Sequence, residues 1–245
     1  MPRGFLAARS GRGSPFHSLG ITLHYLWLPR HNPMLHTLYY SPGACSLAPH
    51  ILLEEVGRPF KLSLVSTSDG STRSAAFLRV NPKGRVPVLT IGDEVLTEAP
   101  AILYYLATKY PAAGLVPESP NGLARSIEWL NWLSGTVHSI AIRQVWRPES
   151  FTESQDHHEA IVASGKQKLG EAFAYIESRM SGSIWALGST YSMVDAFLLV
   201  VYRWGNRIGF DMPHQYKAWT GHTRSLLDRD AVRRALATED ISVWK

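Results

Sequence analysis

The chain has 245 residues, 45% hydrophobic and 18% charged, an ordinary soluble globular composition with length for one large core or two modest ones. Its net charge of +5 would suit a nucleic-acid or anionic-membrane partner, but Arg3, Arg9, Arg12 and Arg30 stand in residues 1–33 with no acid beside them; most of the excess belongs to that leader, and neither partner is expected. The single cysteine, Cys45, excludes an intramolecular disulfide framework, no stretch approaches the roughly 18 apolar residues of a membrane span, and a cytoplasmic location is expected.

The leader is rich in Arg, Gly, Ser and His, with one short apolar stretch from Ile21 to Leu28. It lacks a clear secretory apolar run and cleavage site. It reads either as an organellar transit peptide or as a disordered, non-native upstream segment, with the domain proper starting at Met34.

From Met34 the pattern is orderly. His36 to Tyr40 predicts a strand closed by Ser41-Pro42-Gly43, and Leu47 to Val56 predicts a helix ending at Gly57, a natural left-handed cap. Phe60 to Val65 alternates like a strand, Ser66 to Ser74 is a polar loop, and a short helix follows through Phe77 and Leu78. Arg85 to Ile91 and Glu94 to Thr97 predict two strands joined at Gly92-Asp93. Glu98 to Tyr110 predicts a helix with Ile102, Leu103, Leu106 and Tyr110 on one face. This is a small α/β domain over residues 34–111. Residues 112–120 read as a Pro/Gly-bearing linker. Beyond it, residues 121–245 read as all-helical, with helices over Leu123–Val145, Gln155–Met180, Val194–Ile208, His214–Leu227 and Ala231–Ala237.

Several residues could carry chemistry. Main-chain N–H groups at the start of a helix lower a cysteine pKa below its usual value of about 8.5, which would make Cys45 reactive; a small buried hydrophobe is the other reading. Position 48 is Ala, so there is no C-x-x-C, and any disulfide needs an outside thiol. Pro87 removes a ladder donor from a predicted strand, and a cis Val86-Pro87 bond would free the Val86 N–H and C=O for a peptide ligand; an ordinary strand-entry proline fits too. Glu98, at a helix start, suits the macrodipole, or would hold a ligand ammonium beside free N–H groups that suit a carboxylate. His138 lies among aromatics and also reads as a bystander. His157-His158 lacks helical metal-pair spacing, and no metal is expected. Ser192-Met-Val-Asp195 is a capping box with a structural role.

In order along the chain, Tyr40-Ser-Pro-Gly-Ala-Cys-Ser-Leu-Ala-Pro-His50, Asn81-Pro-Lys-Gly-Arg-Val-Pro-Val-Leu89, Leu96-Thr-Glu-Ala-Pro-Ala-Ile102, Glu128-Trp-Leu-Asn131 and Ser192-Met-Val-Asp-Ala196 resemble the bacterial beta-class glutathione S-transferases. The resemblance implies a thioredoxin-like N-terminal domain, an all-α C-terminal domain, a homodimer, and glutathione as co-substrate at the domain junction. By that likeness Val86, before cis-Pro87, binds the cysteinyl backbone of glutathione. Glu98 and the Ala99 N–H hold its γ-glutamyl end, Asn131 reaches it at the dimer interface, and Cys45, Ser46 and His138 surround its sulfur. Ala99 lacks the hydroxyl frequent at that position, and Ser139 stands where relatives carry a basic residue. The function implied is conjugation of the glutathione thiol to a small, apolar electrophile held near Trp146 or Trp204. Glutathione-dependent thiol transfer or reduction through a Cys45 mixed disulfide, or a non-catalytic binding or regulatory role, are the alternatives.

Overall fold

The structure, a computed structural model, describes residues 35–245; the expectations for residues 1–33 lie outside them. Strand β1 (His36–Tyr40) leads through the Ser41–Gly43 turn into helix α1 (Leu47–Val56). Gly57, at φ 66°, ends α1 by donating to the Leu53 carbonyl, the cap its sequence promised. Then come β2 (Phe60–Leu64), α2 (Ala75–Val80), β3 (Val88–Ile91), β4 (Glu94–Thr97) and α3 (Ala99–Lys109). The sheet order is β2-β1-β3-β4, with β1 parallel to β2 and antiparallel to β3, and β3 antiparallel to β4. Leu38 and Leu89 face each other across β1 and β3, both fully buried, under α1 and α3. On the opposite side α2 covers a smaller cluster of Val65, Phe77, Val86 and Val88. The thioredoxin-like expectation holds. The ladder begins only at Val88, however, so Arg85 and Val86, expected inside the strand, lie outside it.

After Gly114 the chain forms helices joined by loops, with one isolated bridge between Trp185 and Gly188. Leu115, inside the expected linker, is buried, and its carbonyl accepts from Met193 N–H at 2.9 Å. The expected single helix over Leu123–Val145 is instead three segments: α4 (Gly122–Trp132), a π-helical stretch Leu133–Ile142, and α5 (Arg143–Trp146). Ser139 Oγ donates to the Ser134 carbonyl five residues back at 2.7 Å, supporting the wider winding. Helix α6 (His158–Met180) packs closely there, since a Cβ at Gly165 would lie 2.9 Å from the Ala141 carbonyl.

Helix α7 (Met193–Ile208) is buried at every residue from Met193 to Gly205, Asp195 and Arg203 included. The expected helix His214–Leu227 breaks at Tyr216 into α8 (Met212–Gln215) and α9 (Lys217–Leu227). A second N-terminus is stable there because Glu177 of α6 accepts from the Ala218 and Trp219 N–H groups at 2.8 and 2.9 Å. Helix α10 (Asp230–Thr238) packs with α7 on α1, so the cysteine-bearing segment is pressed between the sheet and the helical half.

Candidate active site

The Cys45 turn is fastened at both ends. Ser46 is fully buried, and its hydroxyl accepts from Ser41 N–H and donates to the Ser41 carbonyl, both at 3.1 Å. Ser46 therefore shapes the turn: its one O–H is spent on the Ser41 carbonyl, and what its hydroxyl keeps for a sulfur is acceptor capacity. Gly43 sits at φ 67°, and a Cβ there would lie 2.4 Å from Arg203 Nη1, so glycine is needed on two counts. The peptide groups of Gly43 are gripped by the helical half. Its N–H donates to Glu239 Oε2 at 2.7 Å, and its carbonyl accepts from Trp204 Nε1 at 2.9 Å and Arg203 Nη1 at 3.4 Å. Glu239 also binds His50 Nδ1 at 2.8 Å, both side chains being shut off from solvent.

Cys45 is 9% exposed, and its thiol donates to the Val86 carbonyl at 3.5 Å. Burial pushes the thiol up to about 12, against the opposing pull of its own N–H, the Ser46 N–H and Arg85. The helix-start effect expected from the sequence is present but smaller than desolvation, so of the two readings the buried, neutral thiol is the one realised. At pH 8 the thiolate fraction is on the order of a thousandfold below that of an exposed cysteine. Alkylation of ligand-free protein by iodoacetamide, followed by intact mass, is expected to be slow at pH 8 and still accelerating at pH 10. A rate that levels off near pH 8.5 would contradict the burial.

The contact between Cys45 and Val86 joins motifs 41 residues apart. The Val86–Pro87 bond is cis, as expected, and Val86 lies outside the ladder with its side chain in the small core. At the start of α3, Ala99 is buried, and its N–H belongs to the first turn, which has no intrahelical acceptors. Glu98 precedes it at φ 73°, a left-handed conformation that costs a non-glycine residue about 1–3 kcal/mol and gathers at functional sites. Its carboxylate is exposed and paired with Lys83, a partner not foreseen from the sequence. Glu98 and Asn131 line one cleft of about 750 Å³ between α3 and α4, together with Tyr104, Tyr105 and Ser134.

His138 sits in the π segment with its ring 4.6 Å from that of Trp204. Burial, reinforced by the nearby cations Arg85 and Arg143, brings its pKa down to about 4, so the imidazole is neutral at pH 7. Trp204 is buried and forms the backing of this wall, while Trp146, edge-on to it at 5.6 Å, is 37% exposed. Because Trp204 also bonds Gly43, the wall stands directly against the cysteine turn.

Sequence reasoning missed Glu239, Arg203 and the role of His50. Their signal is purely long-range, with 196 residues separating Gly43 from Glu239. Among the described residues no group of three or more His, Cys, Asp or Glu side chains could hold a metal ion, and no helix is long and apolar enough to cross a membrane.

Comparisons with known proteins agree with this geometry. The sequence model described as "Glutathione S-transferase, N-terminal domain" matches residues 34–108, and that for the C-terminal domain of the same family matches residues 137–230. Glutathione S-transferase GST-4.5 of Xanthomonas campestris pv. campestris is 30% identical over 209 residues, spanning 84% of this chain and 99% of that protein. A glutathione transferase homologue from Sulfitobacter, solved with bound glutathione, superposes with a TM-score of 0.80 at 29% identity, covering 85% of this chain and 100% of that one. The bacterial beta-class enzyme of Sphingomonas chungbukensis gives 0.73 at 32% identity, covering 84% and 100%. With both family models on one chain and a relative matched over almost its whole length, this chain belongs to the glutathione S-transferase family.

Proposed function

We propose that this glutathione transferase joins the thiol of glutathione to a small electrophile held against the Trp146–Trp204 wall. The observation that supports this reading most directly is the Cys45–Val86 contact, which sets the cysteine turn beside backbone groups left outside the sheet. Glutathione would lie between them, with its cysteinyl backbone on Val86, its γ-glutamyl end on Glu98 and the Ala99 N–H, and its sulfur beside Cys45 and His138. The glutathione thiol gives its proton to solvent. Its sulfur pair then forms the S–C bond while the leaving group departs with the pair of the bond it loses.

Cys45, held neutral by burial, would turn its one S–H from the Val86 carbonyl to the glutathione sulfur, leaving that carbonyl to the tripeptide backbone, and so serve as a donor rather than as a nucleophile. His138, also neutral, presents one ring nitrogen and adds no positive charge. Residues 34–111 form the glutathione-binding domain, 112–120 the linker and 121–245 the helical domain, in a cytoplasmic homodimer whose interface takes in Asn131 and the α3–α4 face.

The test pairs wild type with Cys45→Ser. Conjugation of an aryl halide is expected to stay within a few-fold, because serine keeps a donor at that position. Intact mass after incubation with oxidised glutathione at pH 7.5 is expected to show little adduct. Loss of conjugation in Cys45→Ser together with rapid, stoichiometric glutathionylation of wild type would replace this reading with mixed-disulfide chemistry.

A further inference from the structure

Three arginines surround the aromatic wall, and none has a carboxylate partner. Arg207 lies over the Trp146 ring, with Cζ 5.8 Å from its centroid. Arg143, three residues before Trp146, is on hand at the end of the π segment, its Nε bonded only to the Ser150 hydroxyl at 2.8 Å. Arg85 adjoins Val86 and acts electrostatically on both Cys45 and His138. No ion pair within 4.0 Å involves any of the three among the described residues. Residues 1–34 contain no Asp or Glu, so the rest of the chain supplies none either. Burial lowers the proton affinity of Arg203, and repulsion from Arg207, one helical turn away on α7, adds to it.

Cations gathered without counter-charge beside an exposed indole make a site for a flat anion. The ring stacks on Trp146, and guanidinium forks take a planar anionic group in bidentate fashion. Glutathione does not use all of this charge. Of its two carboxylates, the γ-glutamyl one is assigned to the start of α3 and the glycyl one to Arg85, which adjoins Val86 and is the cation closest in sequence to its peptide. Arg143 and Arg207, both on the helical half, are left over.

We propose, resting on the transferase reading above, that the second substrate carries an anionic carboxylate or sulfonate on a flat apolar body, with the body on Trp146 and the anion held by Arg143 and Arg207. The chemistry is the substitution already described. With 4-chloro-3-nitrobenzoate the glutathione sulfur bonds the ring carbon, chloride leaves with the C–Cl pair, and the thiol proton goes to solvent.

The experiment compares 4-chloro-3-nitrobenzoate with its methyl ester, each rate divided by its uncatalysed rate with glutathione. Wild type is expected to favour the anion, and Arg143→Gln and Arg207→Gln each to lower the anion-to-ester ratio of kcat/KM by about tenfold, the scale of one charge-assisted hydrogen bond. The KM for glutathione separates this from a role in holding the tripeptide; a rise in that KM with an unchanged ratio would overturn the proposal. A parallel arm titrates unreactive 3-nitrobenzoate against tryptophan fluorescence. Binding to wild type that is lost in both variants supports the anion site, and equal binding in all three removes it. Absence of turnover with either electrophile would overturn the proposed substitution on an aryl halide while leaving the titration to decide the anion site.

Discussion

Replacing Glu239 with alanine is expected to destabilise the protein by about 2–6 kcal/mol, the cost of leaving two buried donors unsatisfied at about 1–3 kcal/mol each. The carboxylate serves two buried partners at once, Gly43 N–H at 2.7 Å and His50 Nδ1 at 2.8 Å, and neither has water to turn to once it is gone. The effect should reach the chemistry, because Gly43 stands two residues before Cys45. Urea unfolding would read the first effect as a lower midpoint with an unchanged slope. Conjugation kinetics on the folded fraction would read the second as a fall in kcat/KM. Glu239→Gln keeps an acceptor for one partner and should lose roughly half as much stability. A Glu239→Ala protein as stable as wild type would mean that the turn is held by Trp204 and Arg203 alone.

Asp195→Ala is expected to cost a similar amount, several buried donors again losing their acceptor at about 1–3 kcal/mol each, with a different signature. Its Oδ2 accepts from Ser192 N–H at 2.7 Å and from the Ser192 hydroxyl at 2.9 Å, closing the box that starts α7. Its Oδ1 accepts from Ala186 N–H and from His222 Nε2, both at 2.8 Å, so four donors converge on one side chain that solvent does not touch. Asp195→Ala thus unseats the N-terminus of the most buried helix and orphans an imidazole. Asp195→Asn, which keeps the shape and gives up the charge, should cost less. No residue of the candidate site bonds Asp195, so folded Asp195→Asn protein should conjugate at the wild-type rate; a selective loss of kcat would assign this carboxylate a part in the chemistry.

The features legible in advance are those whose signal is local. The strand before Ser41, the Gly57 cap and the Ser192–Asp195 box are each written within a few residues, and each stands where it was expected. The π stretch was not legible. Its buried residues Leu133, Val137 and Ala141 recur at four-residue steps that an α-helix also allows, and the Ser139–Ser134 bond that marks it means nothing until the backbone is known. Cys45 shows the same limit in energetic form. The N–H groups beside it are readable from the turn, whereas the Val86 carbonyl and the layers that bury it arrive from distant segments and reverse the sign of the net effect. The pairing of Lys83 with Glu98 depends likewise on how two loops approach.

The grip on Gly43 also bears on when the protein becomes an enzyme. The turn that carries the thiol is made early, within the first fifty residues, yet the carboxylate that accepts its N–H is 196 residues downstream. A chain emerging from the ribosome has all four strands long before that carboxylate exists. Until residue 239 is synthesised and α10 has docked on α1, the cysteine turn has no partner for its N–H and no acid for His50. Prematurely released chains should therefore be inert, so that activity reports on completed synthesis.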